Sequence, residues 1–231
     1  MVSRIDRKQV VETALRVLNE VGLEGLTLRR IAKDLNVQAP ALYWHFKNKQ
    51  ELLDEMATEI FRRMVTPILA GIGPGEDGLG RTWQDAMFAS ARVLRRELLC
   101  YRDGGKVFSG TRMTDESYAR PMEAFLGQLV AAGFTPGGAV RAWWTMYNFT
   151  IGLVIEEQSI HPDPDNPQDR DPAYDLTERK RRVGERYPLA AAAGLEMFAD
   201  VEASFETGLR IIVAGVEATV GPDAPGPGAG S

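Results

Sequence analysis

Apolar residues return every three or four positions along most of the chain, the spacing that gives a helix one buried face. Val10, Val11, Ala14, Leu15, Val17, Leu18 and Val21 form the first such stripe, opened by Asp6 as an N-cap and closed by Gly22. Thr27 caps a short second helix whose inward residues are Leu28, Ile31, Ala32 and Leu35, and Asn36 ends it. Pro40 falls in the first turn of a third helix that carries ALYWHF. Asn48 caps a fourth, with Glu51 placed to complete a capping box. Its stripe is Leu52, Leu53, Met56, Ile60, Phe61 and Met64, with a stop near Pro67. No stretch alternates cleanly enough to demand a strand.

Beyond a glycine-rich connection at 71–80, the pattern predicts helices over 82–101, 115–132, 135–159, 176–187 and 200–220. The glycine-bearing segment Arg102–Arg112 reads as a loop, as does the proline- and aspartate-rich segment 161–172. Pro188 opens an alanine-rich turn, and the composition of GPDAPGPGAGS is that of a disordered tail. The expected architecture is all-α. Residues 1–50 form a small helical head, 51–220 a larger helical body, and 221–231 a tail.

Helices two and three are short and joined by a tight NVQ connection, which is the helix-turn-helix plan. Leu42 and Phe46 share a face and anchor the third helix. Trp44 can pack its ring while its edge faces a DNA backbone. Tyr43, His45, Lys47 and Lys49 can reach phosphates, Gln38 a base edge, and Ala39 or Ala41 a thymine methyl. Thr27 and Arg29 open the supporting helix beside them.

Charge supports this division. Residues 1–50 carry a net +4 and the remainder −9, so a basic head meets an anionic partner. Cys100 is the single cysteine, which excludes an intrachain disulfide and fits a reducing compartment. No signal peptide or membrane span is expected, which points to the cytoplasm. The two histidines are far apart, and no nucleophile elbow, phosphate loop or zinc spacing occurs, so neither an enzyme nor a cofactor is expected.

The run LTLRRIAKDLNVQAPALYWHFKNKQELLD resembles the DNA-binding region of the tetracycline-repressor family. RRELLCYRDGGKVFSGTR, NFTIGLVIEEQ and FETGL resemble body segments of its drug-sensing members. The resemblance implies a homodimeric repressor that binds a palindromic operator and responds to a small molecule in the body. Thr27, Arg29, Pro40, Tyr43, Trp44, His45 and Lys49 match its DNA-contacting positions. Its base-reading glutamine falls at Ala39, and the neighbouring Gln38 also departs, so the operator differs. Drug sensors hold a magnesium chelate with a histidine where this chain has Phe108, and a phenyl ring ligates no metal. Other drug-contacting positions fall at Ser90, Phe125 and Met64 or Val65.

A more apolar, aromatic site is therefore expected, without a metal. Val140, Trp143, Tyr147, Ile151 and Val154 form a stripe, joined by Leu94, Phe108, Phe125 and Leu129, with Thr111, Arg112 and Glu156 as its polar groups. For the dimer, Gly152, Gly208 and Gly215 permit close helix approach, and Val201, Phe205, Leu209, Ile212 and Val216 supply an apolar stripe. Two other readings remain open: a ligand-sequestering or protein-binding module with a degenerate head, and an activator.

Overall fold

The computed structural model describes residues 5–71, 82–184 and 186–224. Most of the predicted 71–80 connection and all but the first four residues of the tail lie outside them. Among the described residues every regular element is helical, with no strand.

The first four helices are α1 (Arg7–Gly25), α2 (Leu28–Asp34), α3 (Ala39–Leu42) and α4 (Lys49–Gly71). Asp6 caps α1 in a reciprocal capping box with Gln9. α1 continues past Gly22, which takes a left-handed φ of 70° and kinks it. Glycine is required there, because a Cβ would press on the Asp103 carboxylate and the Arg102 guanidinium. Thr27 caps α2 through its hydroxyl, and Asn36 turns the chain at φ 53°, a conformation asparagine tolerates.

α3 is much shorter than the pattern suggested. It ends at Leu42, and Tyr43–His45 continue as a turn, with the His45 and Phe46 N–H groups both donating to the Leu42 carbonyl. α4 runs past Pro67 rather than stopping there.

The body holds α5 (Trp83–Leu99), α6 (Gly104–Phe108), α7 (Ala119–Ala131), α8 (Pro136–Ile160), α9 (Leu176–Val183), α10 (Pro188–Ala199) and α11 (Val201–Val220). Two of these were not expected. The 102–112 segment contains α6, and the alanine-rich turn is α10. Alanine has the best intrinsic helix propensity, and Pro188 sits at the first helical position.

Two apolar cores result. The first runs from Val10 and Leu18 of α1 through Leu42, Phe46 and Met56 to Leu98, Phe108 and Val154, so it is continuous from head to body. The second joins α5, α7, α8 and α11 around Met87, Phe125, Leu129, Met146 and Phe205.

The α11 stripe corrects an expectation. Val201, Phe205, Leu209, Val213 and Val216 are buried inside their own chain, with Ile212 partly buried beside them. Phe149 stacks on Phe205 at 6.1 Å, and its ring fills the space that a side chain at Gly208 would need. Gly152 and Gly215 instead face open space.

Candidate functional site

In the head, Leu42 and Phe46 are both 0% exposed. They fix a turn whose intervening residues point outward: Tyr43 is 56% and Trp44 89% exposed. Trp44 therefore does not pack its ring, contrary to the sequence reading. Placed by the end of a four-residue helix, it projects from a turn rather than lying along a helix flank. His45 is half-buried, while Thr27, Arg29, Gln38 and Pro40 are exposed and Ala39 packs partly against the core. Gln38 stands at the α3 N-cap position yet makes no cap hydrogen bond, which leaves its amide free. Lys49 is engaged: its ammonium donates to the Leu23 carbonyl at 2.8 Å.

Ion pairs also link α1 and α2. Arg16 bonds Glu20 and Asp34, and Arg30 bonds the same two carboxylates. Arg29 is left outside this network and faces outward with Thr27 and Gln38.

In the body, the predicted site residues fall into two groups. Met64, Leu94, Phe108 and Tyr147 belong to the first core, and Phe125, Leu129 and Trp143 to the second. Trp143 and Tyr147, one turn apart on α8, bridge them by stacking at 5.1 Å. Phe108 lies 6.3 Å from the Tyr147 ring. Burial pushes the Tyr147 phenol above its ordinary pKa. Ser90 and Thr111 are half-buried, and the Thr111 hydroxyl donates to the Phe108 carbonyl at 2.9 Å.

Three expected residues stand apart. Val140 is 47% exposed. Arg112 points outward, its side chain 89% exposed and 3.8 Å from Asp54. Glu156 is exposed, since it lies about two and a half turns from Tyr147 and so on the opposite face of α8. The neighbouring Glu157 is the carboxylate with a partner, pairing with Arg95 at 2.8 Å.

The sequence reading missed Trp144. It is 54% exposed and stacks on Tyr147 at 5.5 Å with only 14° between the rings. Its position three residues before Tyr147 was the available signal.

Head and body meet at the turn leading into α6. The Asn19 side chain accepts from the Arg102 N–H at 3.0 Å and donates to the Cys100 carbonyl at 3.2 Å. The Asp103 carboxylate accepts from the Leu23 N–H at 2.9 Å. Burial raises the pKa of Asp103, but the Leu23 N–H and the Lys106 ammonium outweigh it and hold the group below its usual value. Behind this turn, buried Gln158 accepts from the Gly105 N–H at 2.9 Å and donates to the Leu98 and Tyr101 carbonyls at 3.0 and 2.7 Å. It pins α6 between α5 and α8.

Residues 10–56 match the model for bacterial regulatory proteins of the tetR family, and residues 76–220 the tetracyclin repressor-like C-terminal domain. The chain is 35% identical to the class C tetracycline repressor protein of Escherichia coli, over 94% of this chain and 92% of that one. The chain belongs to the tetracycline-repressor family. Among solved structures of that family, a possible TetR family transcriptional regulator from Streptomyces coelicolor A3(2) is similar with a TM-score of 0.75 and 37% identity, covering 92% of this chain and 98% of that one. A TetR variant from Acinetobacter baumannii AYE, solved in complex with minocycline, is similar at 0.65 and 30%, over 92% and 97%. Family membership accounts for the helix-turn-helix head and the all-helical body together. Among the described residues no cluster of His, Cys, Asp and Glu is arranged to hold a metal, and no helix is long and apolar enough to cross a membrane.

Proposed function

We propose that the protein is a ligand-responsive transcriptional repressor. It acts as a homodimer on a palindromic operator and is released when a planar, largely apolar molecule enters the body. Residues 1–50 form the DNA-binding unit and 51–220 the sensing and dimerising unit. It works in the cytoplasm and catalyses no reaction. The observation that carries this reading is the turn at 43–45. Two fully buried anchors hold Tyr43 and Trp44 out in water at the end of a helix-turn-helix, a large exposed aromatic surface uncovered by any of the described residues. Relatives named as tetracycline repressors support the same reading.

Tyr43, Trp44, His45 and Lys49 position the head on phosphates, with Thr27 and Pro40 at the two helix starts. Gln38, Ala39 and Arg29 face the base edges. Lys49 reaches a phosphate only by leaving the Leu23 carbonyl. In the body the ligand stacks among Phe108, Trp143 and Tyr147, against Met64, Leu94, Phe125 and Leu129, with Ser90 and Thr111 as hydrogen-bonding groups. A ligand that presses on Phe108 moves α6, and Asp103 carries that movement to Leu23 of the head. It shifts the equilibrium only through different affinities for the two head positions, and tenfold release needs about 1.4 kcal/mol. Gly152 and Gly215, on open faces of α8 and α11, are where the second copy approaches.

A mobility-shift titration against DNA from upstream of the protein's own gene tests the head. A shift whose affinity falls steeply with salt is expected. No shift even at low salt would favour a sequestering module. Tryptophan fluorescence against planar aromatic compounds tests the body. Quenching by metal-chelating ligands alone would refute the apolar site.

A further inference from the structure

We propose that Glu55 is a positioning residue that couples the loop following α6 to the DNA-reading turn. The inference rests on the repressor reading above and concerns a group outside both candidate sites. Glu55 lies on α4 with its side chain only 12% exposed. Its Oε2 accepts from Arg7 Nε of α1 at 3.1 Å and from the Thr114 hydroxyl of the loop at 3.1 Å. Its Oε1 accepts from both terminal nitrogens of Arg62 at 3.2 Å. One carboxylate thus meets donors from three separate parts of the chain.

Each donor is itself shared. Arg62 also donates to Asp115 at 2.6 and 2.9 Å. Arg7 also donates to the His45 carbonyl at 2.6 Å, and its guanidinium lies 4.3 Å from the Phe46 ring centroid. Glu51 takes a further Arg7 N–H at 3.3 Å and the Lys47 N–H at 2.9 Å. The loop is strapped to the same helix by further contacts. Thr58 Oγ1 accepts from the Thr114 N–H at 2.9 Å, and Asp54 from the Arg112 N–H at 3.2 Å. The line therefore starts just beyond Phe108 and Thr111 and ends on the backbone of the turn that presents Tyr43 and Trp44.

Each of these contacts is weak by itself. Arg7 and Arg62 are 41% and 35% exposed, and a single exposed ion pair contributes about 0–1 kcal/mol. Arrangement decides the coupling. With the loop seated, the Thr114 hydroxyl meets the same Glu55 oxygen that accepts from Arg7, and Asp115 steadies Arg62 on the other oxygen, so the carboxylate is fixed where Arg7 reaches it. With the loop lifted, Thr114 and Asp115 leave together and the carboxylate is held by fewer groups. Arg7 is then held less firmly, and so are the His45 carbonyl and the Phe46 ring it covers. The loop and the reading turn are linked because they draw on the same few donors and acceptors. Loop withdrawal loosens the turn and weakens operator binding.

A double-mutant cycle on DNA affinity tests this. The full chain is titrated by fluorescence anisotropy against a duplex that the wild type has selected from random sequence. Wild type, Glu55→Gln, Asp115→Asn and the double variant are compared, with urea unfolding run alongside to show that each is folded. Asp115→Asn is expected to weaken binding about fivefold in the wild-type background and less than about twofold beside Glu55→Gln, a coupling in the range usual for neighbouring groups. If Glu55→Gln unfolds, a cycle with Arg7→Gln replaces it, and the same non-additivity is expected. Effects that simply multiply in the folded cycle overturn the proposal while leaving the repressor reading intact. A wild type that selects no DNA overturns both.

Discussion

The head and the body each gather aromatic residues, and they dispose of them in opposite ways. In the head, Tyr43 and Trp44 are held apart from the core by Leu42 and Phe46 and stand in solvent. In the body, Trp143 and Tyr147 stack on each other and join two cores. The difference lies in the backbone beneath them. Consecutive aromatics on a turn cannot share one buried face, whereas aromatics four apart on the long helix α8 can. Exposed rings suit a surface that meets a rigid partner. Stacked and half-buried rings suit a site that admits a flat molecule between them.

Substitutions in the two regions test this contrast, taken from the largest expected effect to the smallest. Phe46→Ala removes the anchor of the reading turn and should destabilise the fold by about 3–5 kcal/mol in urea unfolding. Gln158→Leu strands the Gly105 N–H and the Leu98 and Tyr101 carbonyls in a buried site. A loss of about 2–3 kcal/mol is expected, measured in the same way. Trp44→Ala should leave stability within about 0.5 kcal/mol while anisotropy shows DNA affinity reduced about tenfold. Tyr147→Ala should do the reverse, retaining DNA binding and abolishing ligand-induced tryptophan quenching. If Trp44→Ala destabilises the protein as much as Phe46→Ala does, the division into anchor and reader is wrong.

The smallest effect is electrostatic. Hydrogen bonding from Ser117 and the Arg62 guanidinium pull Asp115 down to about 2. A carboxyl lowered in the folded state stabilises it above the unfolded value, and that contribution is lost as pH falls from about 4 to about 2. After allowance for solvent screening it amounts to about 1 kcal/mol at most. Wild type and Asp115→Asn should therefore differ in urea midpoint at pH 7 and converge near pH 2.

The head was legible in the sequence because its signals are local. Asp6, Thr27 and Asn48 cap their helices where the pattern placed them, and Leu42 and Phe46 are buried as their spacing required. The length of α3 was not legible, because ALYWHF has no stop signal and only the backbone shows the helix yielding to a turn. α6 was hidden by its two glycines, which disfavour a helix that tertiary contacts nevertheless impose. Gly105 packs against Val154, Ile155 and Gln158 with no room for a side chain. The stripe on α11 reads as a surface for a second copy, yet the ring that covers part of it, Phe149, belongs to the same chain. Glu156 reads as a polar group of the aromatic stripe, although its angular position on α8 opposes Tyr147 and leaves it exposed. The contacts of Glu55 join residues 48 and 59 positions apart, and no periodicity announces such a meeting.

The strap on α4 has an evolutionary consequence. Asp54, Thr58 and Arg62 recur at intervals of four, with Glu55 beside them, so one helical face carries four side chains that hydrogen-bond the loop. None of the four belongs to the reading turn or to the aromatic site. Changes confined to this face retune how tightly sensing is tied to DNA release, while operator choice and ligand choice stay as they are. A lineage can therefore inherit a working reader and a working sensor and adjust only the gain between them.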